Sequence, residues 1–214
     1  MNKFIRALIF SDFLMYFSYG LLTPIFAVFI TEQISGGTLE VVGIATAVYW
    51  VVRSLATIPL GRWMDKHEGE QDEFTLMFTG SLLMSITLMA LVWASLPWHI
   101  YIIQALFGLF NSMAIPGWRI LFSNHLDRAR QGYEWSVADV SVALATASAA
   151  YFGSVIAGKY GFNSLFVLVG LVGVAGSITL LAVRKQTHTL TELRRKHAEA
   201  CNDLLESAGA MEKH

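Results

Sequence analysis

The sequence predicts an all-α integral membrane protein, with six transmembrane helices over residues 1–183 and a cytoplasmic amphipathic helical tail over 184–214. Three observations carry this reading. Of the 214 residues 55% are hydrophobic and 14% charged, and the mean hydropathy is +0.52, whereas soluble domains carry about 25% charged residues. A span needs about 20 mostly apolar residues to cross a hydrocarbon core of about 30 Å, and six such runs fit, at about Phe4 to Ile30, Glu40 to Leu60, Phe74 to Ala94, Trp98 to Phe122, Glu134 to Ala157 and Ser164 to Val183. Finally, basic residues gather on alternate connections. Lys3 and Arg6 start the first run, Arg62 and Lys66 follow the second, Arg128 and Arg130 follow the fourth, and Arg184, Lys185, Arg194, Arg195 and Lys196 follow the sixth, against Lys159 on the opposite side. Basic residues near span ends are retained inside, so both termini are expected in the cytoplasm, with Trp93, Trp98 and Tyr101 as an outer aromatic belt. Membrane lipid is then the first expected partner.

Segment one is too long for a signal-peptide core and contains Arg6 and Asp12, so it reads as a retained helix. Asp12 lies about nine residues past Lys3, about 14 Å along a helix, which is deep for a carboxylate. Asp12, Tyr16, Tyr19 and Thr23 recur at helical spacing and form one polar stripe, which should face the bundle. Gly20 and Pro24 permit close packing and a bend. Segment two places Arg53 about 12 Å from the same boundary. Equal depth on antiparallel neighbours predicts an Asp12 to Arg53 ion pair, since an unpaired charge there costs at least about 2.5 to 3.5 kcal/mol.

Segment three has no charge and reads as a supporting helix. Segment four carries Gln104, Gly108 and Asn111 on one face, Pro116-Gly117 as a bend and Arg119 towards its cytoplasmic end. Segment five opens with Glu134 and Asp139 and continues through small residues suited to tight helix contact. In segment six, Gly170, Gly173 and Gly176 read as packing positions. The tail carries a capping-box pattern at Thr189 to Glu192, then Leu190, Leu193, His197, Ala200, Leu204 and Met211 on a near-heptad face. This predicts a helix lying on the bundle or the membrane surface, with a coiled coil as the sharper alternative.

Several classes are excluded. The lone Cys201 makes no intrachain disulfide, and no Cys/His cluster has metal-ligand spacing, so no metal or other cofactor is expected. A net charge of -1 argues against nucleic acid as a partner. No Gly-x-Ser-x-Gly elbow is present and no histidine lies deep in a span, so an enzyme is not expected. A potassium-channel filter and a P-loop are also missing from the sequence.

The stretch Gly61-Arg62-Trp63-Met64-Asp65-Lys66, after Pro59-Leu60, is expected to close segment two and turn the chain in a short wet loop. Its Gly-x-x-x-Asp-Lys pattern between the second and third runs resembles the signature loop of the major facilitator superfamily of secondary transporters. The likeness extends over about residues 4 to 183. Gly20-Leu21-Leu22-Thr23-Pro24 is similar to the end of the family's first helix, Gly108 with Pro116 to its fourth, and Gly153 through Gly158, then Gly161-Phe162 and Phe166, to its fifth helix and the turn into the sixth. The sequence departs from the pattern at Glu68 and Gly69, at Gln104, where the family has arginine, and at Asn124, where it has an acid.

The resemblance implies a secondary active transporter of a small molecule, working by alternating access and open to proton coupling. Segments one and four are both polar and interrupted by Gly and Pro, while three and six are uncharged, which matches a 3+3 inverted repeat. Asp12, Tyr16, Tyr19, Thr23, Arg53, Gln104, Asn111, Arg119 and Asp139 are the expected pathway residues. Gly61, Asp65 and Lys66, with Arg128 and Arg130 on the next loop, form the expected cytoplasmic gate. The superfamily usually has two six-helix halves around one pathway, so a homodimer is the simplest completion. A separate partner half, and an assembly or regulatory subunit that does not transport, remain the alternatives. The substrate could equally be a sugar, an organic ion or a drug.

Overall fold

The computed structural model describes residues 1–66, 70–127 and 129–184, and within them every regular element is a helix. Residues 185–214 of the expected tail, Arg128 and the Asp65 side chain lie outside the described residues. Helix α1 spans Lys3–Leu22 and is capped by Asn2, whose side chain accepts the Phe4 N–H at 3.3 Å. The first apolar run is not one helix. It breaks over Thr23, Pro24 and Ile25 before α2, Phe26–Gln33, because proline brings no N–H to the helical ladder. The Thr23 hydroxyl bonds back to the Tyr19 carbonyl at 3.0 Å as the helix ends.

Gly36, at φ +79°, turns the chain into α3, Leu39–Lys66. This corrects the expectation that Gly61 closes the second helix. The helix runs through Gly61 to Lys66, and Gly61 is not among the positive-φ glycines, so the charges from Arg62 to Lys66 form the last turns of a helix and not a loop. Lys66 there complements the negative end of the helix dipole. Helix α4, Glu70–Met89, leads into a 3₁₀ turn, Ala90–Trp93, and α5, Pro97–His125, starts on a proline and runs through Pro116. Helix α6, Gln131–Arg184, is interrupted at Gly161, with φ 80° and ψ 167°, a region essentially reserved for glycine. It therefore has two arms, 131–160 and 162–184.

Among the described residues, five helical stretches are long and apolar enough to cross a membrane, the last of them Gln131–Ala182 with 52 residues. At 1.5 Å per residue this stretch would reach about 78 Å if straight, far beyond a core of about 30 Å.

Packing is reciprocal. Helix α1 lies along both arms of α6. A methyl group on Gly20 would fall 2.8 Å from the Ala149 Cβ, Gly153 lies against the Leu21 backbone, and the Ser11 and Ser18 hydroxyls donate to the Gly176 and Val169 carbonyls at 2.8 and 2.6 Å. Helix α5 in turn lies against α3 and α4, where methyls on Gly108 and Gly117 would fall 2.5 Å from the Tyr49 carbonyl oxygen and 2.6 Å from that of Glu73. The second-arm glycines do pack, Gly170 on Met89, Gly173 on Ser85 and Gly176 on Leu14 and Met15. The apolar core forms two separate clusters. One gathers Phe4, Ile5, Leu8, Phe74, Leu121 and Phe122 at the end holding the α3–α4 connection, and the other gathers Leu21, Phe29, Leu91, Ile100, Leu165 and Phe166 at the far end. The polar residues of α1, α3 and α5 fall between them.

Candidate functional site

Between the two cores lies a cavity of about 650 Å³. All nine residues expected on a pathway line it. Helix α1 supplies Asp12, Tyr16, Tyr19 and Thr23, α3 supplies Arg53, α5 supplies Gln104, Asn111 and Arg119, and the first arm of α6 supplies Asp139. The 3.6-residue period explains the α1 set, since steps of four, three and four keep one face. One side of the cavity is open, and there Thr23, Thr46, Trp50, Arg119 and Asp139 are exposed.

One wall is aromatic. Tyr19 meets Phe107 edge-on at 5.5 Å between centroids, Phe107 meets Tyr49 at 5.4 Å, and Tyr49 meets Trp50 at 5.1 Å. Arg53 ends this series, with its guanidinium carbon 4.8 Å from the Trp50 ring centroid and Nη1 donating to the Tyr49 hydroxyl at 3.3 Å. Opposite are thioethers, the Tyr19 hydroxyl lying 3.9 Å from the Met15 sulfur and 3.8 Å from that of Met84. Asn111 directs Nδ2 to the Met84 sulfur at 3.9 Å, and its buried Oδ1 has no hydrogen-bond partner in the structure; nor has the Trp118 Nε1 on the same lining.

The expected Asp12 to Arg53 ion pair is not formed, since no contact within 4.0 Å joins them. Helix α1 packs on α6 and α3 packs on α5, so the two residues face the cavity from separate helix groups. Arg53 is directed to the aromatic wall. The expectation that segment three only supports the bundle is also corrected, because Met77, Ser81 and Met84 of α4 line the cavity, as does Leu180 of the second α6 arm. Among the gate residues, Gly61 lines a second, smaller cleft, Lys66 is exposed at the end of α3, and Arg130 is exposed just before α6, with its N–H bonded to the Asp127 carbonyl at 2.8 Å.

Sequence reasoning missed the aromatic and thioether lining. Tyr49 stands four residues before Arg53 and Trp135 four before Asp139, a spacing that shares a helix face, so the known polar positions could have pointed to both. Met15, four residues before Tyr19, shares that signal, whereas Met84 carries none. Among the described residues, no group of three His, Cys, Asp or Glu side chains is placed to hold a metal ion. Chemically, the cavity offers two carboxyl groups, two guanidiniums, amide and hydroxyl groups and an aromatic face, a set suited to binding a small organic molecule.

The family profile described as Major Facilitator Superfamily matches residues 8–208. The chain belongs to this superfamily. A curated relative, the multi-drug resistance efflux pump PmrA homolog of Lactococcus lactis subsp. lactis (strain IL1403), is 23% identical over 171 residues, covering 78% of this chain and 41% of that protein. Among solved structures, the peptide transporter POT in complex with sulfate aligns with TM-score 0.73 at 19% identity, over 99% of this chain and 45% of that one. The POT family transporter PepTSo aligns with TM-score 0.67 at 15% identity, over 88% of this chain and 39% of its own. These likenesses establish the fold. The chain spans less than half the length of these relatives. As a superfamily member with several membrane-capable helices, it is a multi-pass membrane protein.

Proposed function

We propose that this chain is a six-span unit of a secondary active transporter that moves a small organic molecule across the cytoplasmic membrane by alternating access. The observation that carries the reading is the meeting of nine polar residues from four helices in one cavity. Intramembrane charges are costly and are retained where they serve a pathway. We read the two arms of α6 as separate spans that turn at Gly161, giving six crossings; an even number keeps both termini on one side, and the basic residues near the span ends make that side the cytoplasm. The reciprocal packing supports a 3+3 inverted repeat, because α1 sits between the arms of α6 as α5 sits between α3 and α4. Asp12 is the proton carrier of choice, and Gly61, Asp65, Lys66, Arg128 and Arg130 form the cytoplasmic gate.

The cavity is open on one side, and a second six-span unit completes it. A second copy related by an axis along the membrane normal is the simplest such unit. The test is a flux assay on purified protein in proteoliposomes, with a panel of organic cations, organic anions and neutral sugars. Saturable flux of any one class, lost in Asn111→Ala with the protein still folded, supports a transporter. Absence of flux with the whole panel in a reconstituted dimer favours an assembly or regulatory subunit. Flux that appears only after a second polypeptide is added indicates a split transporter.

A further inference from the structure

A second space, of about 310 Å³, lies in the seam between α3 and α5, where Arg53, Thr57 and Gly61 face Ile115, Pro116 and Arg119. It extends from Arg53 towards the end of the bundle that holds Lys66 and His125. The space exists because this face of α3 is thin. A methyl group built on Gly61 would meet nothing within 4 Å, and the Thr57 hydroxyl is turned back onto the Arg53 carbonyl at 2.7 Å.

Arg53 and Arg119 both border this cleft, and among the described residues no acidic side chain lines it. Asp12 and Asp139 line the larger cavity instead. Neither arginine makes an ion pair within 4.0 Å in the structure. A guanidinium carries five N–H donors, and Arg53 commits one of them, to the Tyr49 hydroxyl. Two cations lining one cleft within a membrane protein repel one another and are costly when uncompensated. An anion with several oxygens, placed between them, would accept the remaining donors in the forked geometry for which guanidinium is suited. The apolar side chains of Ile115, Pro116 and Ile120 lower the local dielectric and so strengthen such contacts.

We infer that the α3–α5 cleft is an oxyanion site, in which Arg53 and Arg119 together hold a phosphoryl or carboxyl group. The group can arrive as a free anion or as the headgroup of an anionic phospholipid, and both use the same chemistry. The site lies beside the larger cavity and shares its two arginines, so occupancy would neutralise the cationic wall of that cavity. It does not require the chain to carry a substrate, and a failed flux assay leaves the binding readout intact.

The test uses the purified full chain. In neutral detergent it is titrated calorimetrically with sodium phosphate, with sodium chloride as the ionic-strength control. In parallel, nanodiscs of phosphatidylcholine with and without phosphatidylglycerol are followed by native mass spectrometry for retained lipid. Arg119→Gln is the main variant, since Arg119 is exposed and its loss should leave the fold intact, as a thermal melt verifies. Arg53→Gln and Arg119→Lys accompany it. Phosphate binding that weakens at least tenfold in each glutamine variant, and less in Arg119→Lys, supports a site for a free anion. Retention of phosphatidylglycerol by the wild type but not by Arg119→Gln, without phosphate binding, supports a lipid headgroup site. Equal binding by wild type and Arg119→Gln overturns the inference, as does a wild type that takes neither phosphate nor phosphatidylglycerol above its controls.

Discussion

The guanidinium of Arg53 stacks on the ring of Trp50, three residues earlier on α3, at 4.8 Å from the ring centroid. The contact holds the cation against the open side of the cavity, where the Trp50 ring is half exposed. Cation–π contacts at exposed sites contribute about 0.5–1 kcal/mol. Trp50→Leu is therefore expected to destabilise the protein by about that amount, with Trp50→Phe between the two. Thermal unfolding in mild detergent measures it, and an unchanged midpoint in Trp50→Leu would show that the contact contributes nothing.

Close approach of α5 to α3 rests on Gly108. Its absent side chain makes room for the Tyr49 carbonyl, and a Cβ there would fall 2.5 Å from that oxygen. Gly108→Ala must push the helices apart and is expected to cost about 1–3 kcal/mol, the range for overpacking. Gly43→Ala, on the same α3, would place a methyl with nothing within 4 Å. It is expected to be neutral or stabilising by up to about 1 kcal/mol, since alanine favours helix. Equal effects of the two changes in an unfolding assay would contradict this account of the α3–α5 contact.

Asp12 stands without an ion-pair partner in the cavity. Removing one member of a buried pair costs about 3–5 kcal/mol, so Asp12→Asn, which breaks no pair here, is expected to cost less than about 1 kcal/mol. In a double-mutant cycle with Arg53→Gln the effects should add within about 0.5 kcal/mol. A larger coupling would reveal that the pair forms in another conformational state. With Asp12 as proton carrier, an imposed pH gradient should drive uptake by the wild type and leave Asp12→Asn unresponsive. Gradient-driven uptake that persists in the variant would remove Asp12 from that role.

The dimer makes a positional prediction. In a Cys201→Ser background, single cysteines at Thr23 or Thr46, on the open side of the cavity, should crosslink between copies in native membranes. Cysteines at Leu83 or Leu171 are exposed outside the cavity lining and should crosslink less. Met84 would be a poor control although it lies in a charge-free apolar run, because its buried side chain faces the cavity. The reverse crosslinking pattern would rule out a shared pathway.

Much of this was legible because membrane crossing and polar exclusion leave strong marks in sequence. The apolar runs located the helices, and the Asp12-Tyr16-Tyr19-Thr23 stripe pointed into the cavity as its spacing required. What was not legible depended on three-dimensional neighbours. Depth along the membrane placed Asp12 and Arg53 at one level, but level does not determine adjacency, and the exchange of partners between α1 and α5 separated them. Gly61 looked like a terminator because it precedes charges, yet those charges suit a helix end as well as a loop. Met77 and Met84 gave no pointer to the cavity because a thioether carries no polar signature, although α4 turns both towards it.

Ser18 donates to Val169, 151 residues further along the chain. Helix α1 therefore finds its main neighbour only when α6 has been made. Until then α1 must wait in the bilayer with Asp12 uncovered, and any early association it makes must be loose enough to surrender. Packing of α1 is thus gated by synthesis of α6: a nascent chain halted before Gln131 lacks the surface on which α1 rests.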